Sequence, residues 1–304
     1  MLCGDSTSEA DMQRLCAGSS MDLAMTSPPY NVGIDYVTYK DIAARDEYLG
    51  FIQKVATRLF ACLAAGRFVA WNIGVSPKTY PHRQTVILEE AGFVFYRQIV
   101  WEKAGIPYPI FPSTMRTKRA RHYKPNYKHE LLIVAEKEGD ISGTQACTLC
   151  EGTGEIVALE LPLAQIHAEI KLMTKGDEPE LGGQIHPVKA YQNDVWHISQ
   201  SMATVDLKTV GVKSSGLRKG GKLTHTQKEH PAAYPVELPR AVMRFLSAAG
   251  EAVIDPFCGS GSTLIATEQL GRRCYGMEID ARYCDVIVTR RETLTGKKAE
   301  RIKA

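Results

Sequence analysis

The run Ala252-Val253-Ile254-Asp255-Pro256-Phe257-Cys258-Gly259-Ser260-Gly261-Ser262-Thr263 reads as an apolar strand that opens into a glycine turn and then a helix. Residues 262 to 270 read as that helix, and Arg273 to Met277 as a second strand with Glu278 at its end. Strand, turn, helix and strand in that order make a parallel β–α–β unit, and so an α/β fold. Gly259 and Gly261 let backbone approach a ligand closely. The helix start offers unpaired N–H groups to a negative group. The P-loop pattern fails because no lysine follows the glycines, and the dinucleotide pattern fails because Leu264 occupies the third glycine position. A ligand with one carboxylate remains, rather than a pyrophosphate. Glu278 stands 19 residues beyond Gly259, where an acid in such a unit accepts both hydroxyls of a ribose. A ribose plus a carboxylate suits S-adenosylmethionine, with Asp255 closing the first strand. Taken singly, the glycines also fit a plain tight turn, and Glu278 a surface acid beside Arg282.

A second stretch, Thr26-Ser27-Pro28-Pro29-Tyr30-Asn31, follows the short apolar strand Met21 to Thr26. Two prolines remove two N–H donors and fix φ near −65°. Such a corner presents the Ser27 hydroxyl and the Pro28 carbonyl as acceptors with no competing backbone donors. Two acceptors can hold an exocyclic amino group and aim its lone pair at an electrophilic methyl. Tyr30 can stack on a base drawn out of a duplex. A rigid cap on a strand is the plainer reading of the same prolines.

These stretches resemble the motifs of the DNA amino-methyltransferases, which methylate the exocyclic nitrogen of adenine or cytosine. T-S-P-P-Y-N at residues 26 to 31 is similar to their catalytic motif, and D-P-F-C-G-S-G-S-T at residues 255 to 263 to their cofactor motif. H-P-A-A-Y-P at 230 to 235 and G-x-E-I at 276 to 279 resemble flanking motifs of the same family. The catalytic motif precedes the cofactor motif, which resembles the permuted beta order. Cys258 and Ser262 are unusual at their positions. The resemblance implies an S-adenosylmethionine-dependent methyltransferase fold, a seven-stranded, mostly parallel, doubly wound sheet with one antiparallel strand and an inserted region. It implies catalytic roles for Ser27, Pro28, Pro29 and Tyr30. It implies cofactor contacts from Asp5, Asp255, Phe257, Gly259 and Ser260, and from Gly261, Thr263, Glu278 and His230. It also implies direct in-line transfer without a covalent enzyme intermediate. The chain has no Pro-Cys dipeptide of the kind that carbon-attacking cytosine methyltransferases use.

The remaining chain is consistent with a soluble enzyme of 304 residues, 44% hydrophobic and 23% charged, enough for one large α/β domain or about two smaller ones. No apolar run reaches the roughly 18 residues of a membrane span, and the start lacks a signal-peptide pattern. A cytoplasmic protein with reduced cysteines is expected. Helical spacing runs from Tyr48 to Ala64, with Gly66 as its stop, and from His82 to Ala91. Residues 67 to 73, 93 to 101 and 130 to 135 read as strands, and Pro235 as the first turn of a helix carrying Leu238, Val242, Phe245 and Leu246. Residues 1–135 and 230–304 are read as two halves of one domain, with 136–229 an insertion that reads the target sequence. Within it, Leu159 to Met173 suits a helix and 201 to 229 a mobile loop.

Charge is unevenly distributed. Arg116, Lys118, Arg119 and Arg121 belong to one acid-free basic segment, and Lys213, Arg218 and Lys219 to another. Residues 136 to 188 between them carry ten acids and three lysines. The basic segments are candidates for the phosphate backbone of duplex DNA, or else are ordinary solvated surface. Cys147 and Cys150 have zinc-knuckle spacing but no second pair, so an unmetallated turn is the alternative to a structural zinc. A serine at the first catalytic position resembles the cytosine-acting members of the family more than the adenine-acting ones, most of which carry an acid or amide there. An RNA or protein-glutamine methyltransferase and a non-catalytic DNA-binding relative are the alternative functions. A cognate restriction endonuclease and a monomer or homodimer complete the expectations.

Overall fold

A computed structural model describes residues 1–33, 41–104, 129–139, 194–199 and 234–302. The readings of Leu159 to Met173 and of 201 to 229 fall outside those residues, as do both basic segments, the Cys147–Cys150 pair and His230. The described strands are β1 (Leu2–Cys3), β2 (Met21–Thr26), β3 (Leu63–Gly74), β4 (Val94–Ala104), β5 (His129–Lys137), β6 (Val195–Ser199), β7 (Ala252–Asp255) and β8 (Arg273–Glu278). The helices are α1 (Glu9–Cys16), α2 (Arg45–Cys62), α3 (Pro81–Glu90), α4 (Glu237–Leu246), α5 (Ser262–Gln269) and α6 (Ala281–Thr295).

The strands form one sheet in the order β1-β8-β7-β2-β3-β5-β4-β6. All run in one direction except β5, which is antiparallel to both β3 and β4. The single reversed strand agrees with expectation. The sheet has eight strands rather than seven, because β6 pairs along the outer edge of β4 and covers backbone groups that would otherwise be open.

Strand residues alternate between two apolar layers, as a pleat buried on both faces requires. Val69, Trp71 and Ile73 of β3 join one core with Tyr48, Ile52, Val55 and Leu59 of α2. Leu23 and Met25 of β2 and Val253 of β7 join the other, with Leu238 and Val242 of α4 and Ile265 of α5. Helices thus cover both faces of a doubly wound sheet. From β7 the chain winds outward through α5 to β8, and from β2 it winds the other way through α2 to β3. The β2–β7 seam is therefore the switch point, where the carboxyl ends of strands leave a crevice for ligands.

Two local readings need correction. Helix α2 ends at Cys62 and β3 starts at once, so Gly66 does not terminate the helix. Gly66 has φ +70° and lies where β3 slips register against β2, between the pairs Met21–Leu63 and Leu23–Phe68. Its left-handed backbone, which glycine adopts without strain, lies within that irregularity. Pro235 lies just before the cap of α4 rather than in its first turn, and its carbonyl accepts from the Leu238 amide at 3.1 Å.

At the opposite end of the seam, Arg67 of β3 bridges Asp22 of β2 at 3.1 Å and Glu251 at 2.8 Å. Asp22 also accepts from the Ala252 amide at 2.8 Å. Arg67→Met leaves two largely buried carboxylates without their cation. We expect a loss of about 1–3 kcal/mol, read as a lower urea midpoint at unchanged slope.

Candidate active site at the carboxyl edge of the sheet

The glycine turn follows β7 and is shaped by its neighbours. Gly259 and Gly261 have φ of +51° and +83°, a left-handed geometry that disfavours side chains. A Cβ on Gly261 would also lie 3.0 Å from Ile287 of α6. The Gly259 amide donates to Glu278 Oε2 at 2.9 Å, and the Asp280 amide to Glu278 Oε1 at 3.1 Å. Glu278 is 8% exposed, and burial pushes its carboxyl above the usual carboxylate range. Arg282 pairs with Asp280 instead, so Glu278 is not the surface acid of the plainer reading.

The proline corner follows β2 and is anchored on several sides. Tyr48 of α2 donates to the Pro29 carbonyl at 2.8 Å. The buried Gln84 amide donates to the Tyr48 hydroxyl at 3.1 Å and accepts from the Trp71 indole at 2.8 Å. Asp41 accepts from the amides of Asn31, Val32 and Gly33 at 2.7–3.1 Å. Asn31, at φ +56°, exchanges side-chain bonds with the backbone of Ala43. Behind the corner, the Tyr30 hydroxyl lies 3.0 Å from Ser27 Oγ, 2.9 Å from Glu130 Oε2 and 2.7 Å from Asn72 Nδ2.

Both features open onto one cleft. It is lined by Ser27 and Pro29 of the corner, Phe257 and Gly259 of the glycine turn, Glu278 at the end of β8, and Asp5 near the end of β1. Gly4, Ser6, Thr7, Phe51, Pro256, Ile279, Asp280 and Tyr283 complete the lining. Two stretches 229 residues apart in the chain are thus brought side by side, Thr26 Oγ1 lying 2.9 Å from Asp255 Oδ1. Phe51 and Phe257 pack with ring centroids 5.9 Å apart. Asp5 folds its carboxylate back onto the Thr7 amide and hydroxyl, both at 2.8 Å.

Other sequence candidates sit behind the cleft wall. Asp255 is fully buried and accepts from Thr26, Thr263, Tyr234 and the Phe257 amide at 2.6–3.1 Å. Its side chain joins elements and does not line the cleft. Ser260 and Gly261 likewise shape the turn. Arg290 of α6 holds the Ser260 carbonyl. Sequence reading overlooked Tyr48, Asn72, Glu130 and Tyr283. Only Tyr283 had a local signal, an aromatic residue three beyond the capping Asp280 at the start of α6.

The fold and the paired motifs define a methyltransferase. The likeness to solved structures supports that fold. A Thermus thermophilus protein solved with S-adenosyl-L-methionine is 19% identical, with TM-score 0.55 over 94% of this chain and 93% of that one. The PvuII cytosine-N4-specific DNA methyltransferase is 17% identical, with TM-score 0.55 over 98% and 93%. A family model described as DNA methylase matches residues 21–289. The chain belongs to that family, the adenine-N6 and cytosine-N4 DNA methylases. Among its relatives, the Type II methyltransferase M.ScaI of Streptomyces caespitosus is 23% identical over 89% of this chain and 75% of its own length. The orphan methyltransferase M.BamHII of Bacillus amyloliquefaciens is 24% identical over 88% and 87%.

The raised carboxyl of Glu278 has a consequence for stability. The folded chain holds that proton more firmly than the unfolded chain does, so the associated stability is present below the unfolded value and is lost as pH rises through the folded one. Glu278→Gln lacks this titration. We expect its stability, followed by urea unfolding, to improve relative to wild type as pH rises above about 4, the unfolded glutamate value. A difference that stays constant with pH would contradict the assignment.

Proposed function

We propose that this chain transfers a methyl group from S-adenosylmethionine to the exocyclic amino group of cytosine or adenine in duplex DNA, on a base turned out of the helix. The observation that carries this reading is the single cleft shared by Ser27 of the proline corner and by Gly259 and Glu278 of the cofactor unit.

The cleft suits the cofactor. Glu278 offers a carboxylate to the ribose hydroxyls, Phe257 and Ile279 offer apolar surface, and the turn at Gly259 lets backbone approach closely. When bound, S-adenosylmethionine supplies an electrophilic methyl on a sulfonium. The chain's own residues do the rest. Ser27 Oγ and the Pro28 carbonyl accept the two hydrogens of the amine and turn its lone pair toward the donor. Tyr48 holds the Pro29 carbonyl and so keeps the corner from rotating. Positioning of this kind supplies most of the rate, and the product nitrogen then releases one proton. A hydroxyl at position 27, in place of an acid or amide, favours cytosine.

The basic segments with Arg116, Lys118, Arg119 and Arg121, and with Lys213, Arg218 and Lys219, are proposed to contact phosphates. The names of the Type II relatives support a cognate restriction endonuclease as a cellular partner.

Tritiated methyl transfer from S-adenosylmethionine to duplex DNA, RNA and protein tests the reading. Label in DNA alone is expected, and single-molecule sequencing of the product reports the modified base. Label only in RNA or protein, or in none of the three, would reject it. Ser27→Ala is expected to lower kcat about a hundredfold while leaving S-adenosylmethionine affinity unchanged.

A further inference from the structure

A chain of buried and half-buried polar groups runs behind the proline corner. Tyr30 OH lies 2.9 Å from Glu130 Oε2, Asn72 Nδ2 lies 2.8 Å from the same oxygen, and Lys103 pairs with Glu130 Oε1. Asn72 is fully buried and Glu130 is 8% exposed. Asn72 Nδ2 also lies 2.7 Å from Tyr30 OH and 3.4 Å from Ser27 Oγ. The ring of Tyr30 is fixed as well, since a Cβ on Gly74 would lie 2.6 Å from it.

Donor counting sets the direction of the bonds made by Tyr30 and Ser27. The Glu130 carboxylate only accepts, so Tyr30 donates its one hydroxyl proton to Glu130. The Asn72 amide nitrogen only donates, so the Tyr30 oxygen accepts from it. Tyr30 has no second proton for Ser27, and the 3.0 Å contact between them is therefore a bond from Ser27 to Tyr30. With its proton directed inward, Ser27 presents lone pairs to the cleft. That is the polarity an amino group requires. The opposite arrangement, with Tyr30 donating to Ser27, would turn the serine proton toward the cleft and against the amine hydrogens.

We propose that Glu130 is a positioning residue for methyl transfer, acting through Tyr30 to fix the Ser27 hydroxyl as an acceptor. This rests on the amino-methyltransferase reading above. It also assigns Tyr30 a role besides stacking on the base. Bonds in such a buried network reinforce one another, and reversing one direction reverses the next. A glutamine at position 130 has its own N–H groups and stabilises either direction, so the bias is lost while the volume is kept.

Steady-state kinetics on Glu130→Gln and Glu130→Asp, each alone and combined with Tyr30→Phe, test the inference. S-adenosylmethionine affinity by calorimetry and melting temperature serve as controls on folding. We expect Glu130→Gln to lower kcat by about tenfold or more, with cofactor affinity held within about twofold, and Glu130→Asp to recover part of the loss. In the Tyr30→Phe background the loss from Glu130→Gln should shrink to about twofold or less, because the route to Ser27 is already cut. An equal loss in both backgrounds would overturn the inference, as would a loss confined to cofactor affinity. A Glu130→Gln enzyme that no longer binds cofactor shifts the decision to Glu130→Asp, where the same background dependence is required. Wild-type protein that methylates no amino group would instead reject the underlying function, a separate outcome.

Discussion

One buried carboxylate, that of Asp255, makes this architecture possible. It accepts from Thr26 at the end of β2, from Thr263 in α5, from Tyr234 ahead of α4, and from the Phe257 amide of the glycine turn. Four donors match the roughly four acceptor sites of a carboxylate. Burial alone pushes its carboxyl upward, and the hydrogen bonds oppose that shift. Removing it would take the acceptor from all four, and since the Tyr234 and Thr263 hydroxyls can still pair with each other, the buried Thr26 hydroxyl is among those left unmet, at about 1–3 kcal/mol each. Thr26 is the residue next to Ser27. The tie that closes the β2–β7 seam therefore also sets the distance between the proline corner and the glycine turn. Sequence reading assigned Asp255 to ligand contact, but its oxygens are already engaged by the protein.

Much of the fold was legible because its signals are local. Apolar spacing marked α2, flanking glycines marked α3 and α5, and short apolar runs marked β2, β3, β5, β7 and β8. What escaped depends on neighbours distant in sequence. Gly66 reads as a helix stop on its own, yet the slip of β3 against β2 makes it a bulge. The addition of β6 to the edge of β4 follows from pairing, which no window of sequence contains. At the site, the corner and the turn were visible because each packs its residues into one short run. Glu130 and Asn72 were not, since each is a lone strand residue with no motif around it. They meet only because antiparallel β5 lies beside β3, setting Glu130 opposite Gly74, two residues along from Asn72.

The corner illustrates how rigidity is assembled from several weak restraints. The prolines limit φ, Asp41 gathers three successive amides, and Tyr48 fixes the Pro29 carbonyl from the opposite helix. The Tyr48 hydroxyl is itself held by Gln84, which Trp71 and the Thr79 carbonyl orient in turn. Each bond is worth little net, about 1 kcal/mol. Together they leave the corner one conformation, which an in-line displacement needs more than it needs any single strong contact.

Strand direction also bears on which parts of the chain meet DNA. The basic segment 105–128 leaves the carboxyl end of β4 and returns at the start of antiparallel β5, so both its attachments lie on the edge of the sheet that carries the cleft. The chain 200–233, which contains the other basic segment, leaves the carboxyl end of β6 and returns at Tyr234, beside Asp255 and Thr263, on that same edge. The acidic segment 140–193 leaves beyond the end of β5 and returns before the start of β6, both on the opposite edge. The attachments of both basic segments thus lie at the cleft edge, and those of the acidic one at the other edge. Charge and connectivity therefore agree with the proposal that the two basic segments contact the phosphate backbone.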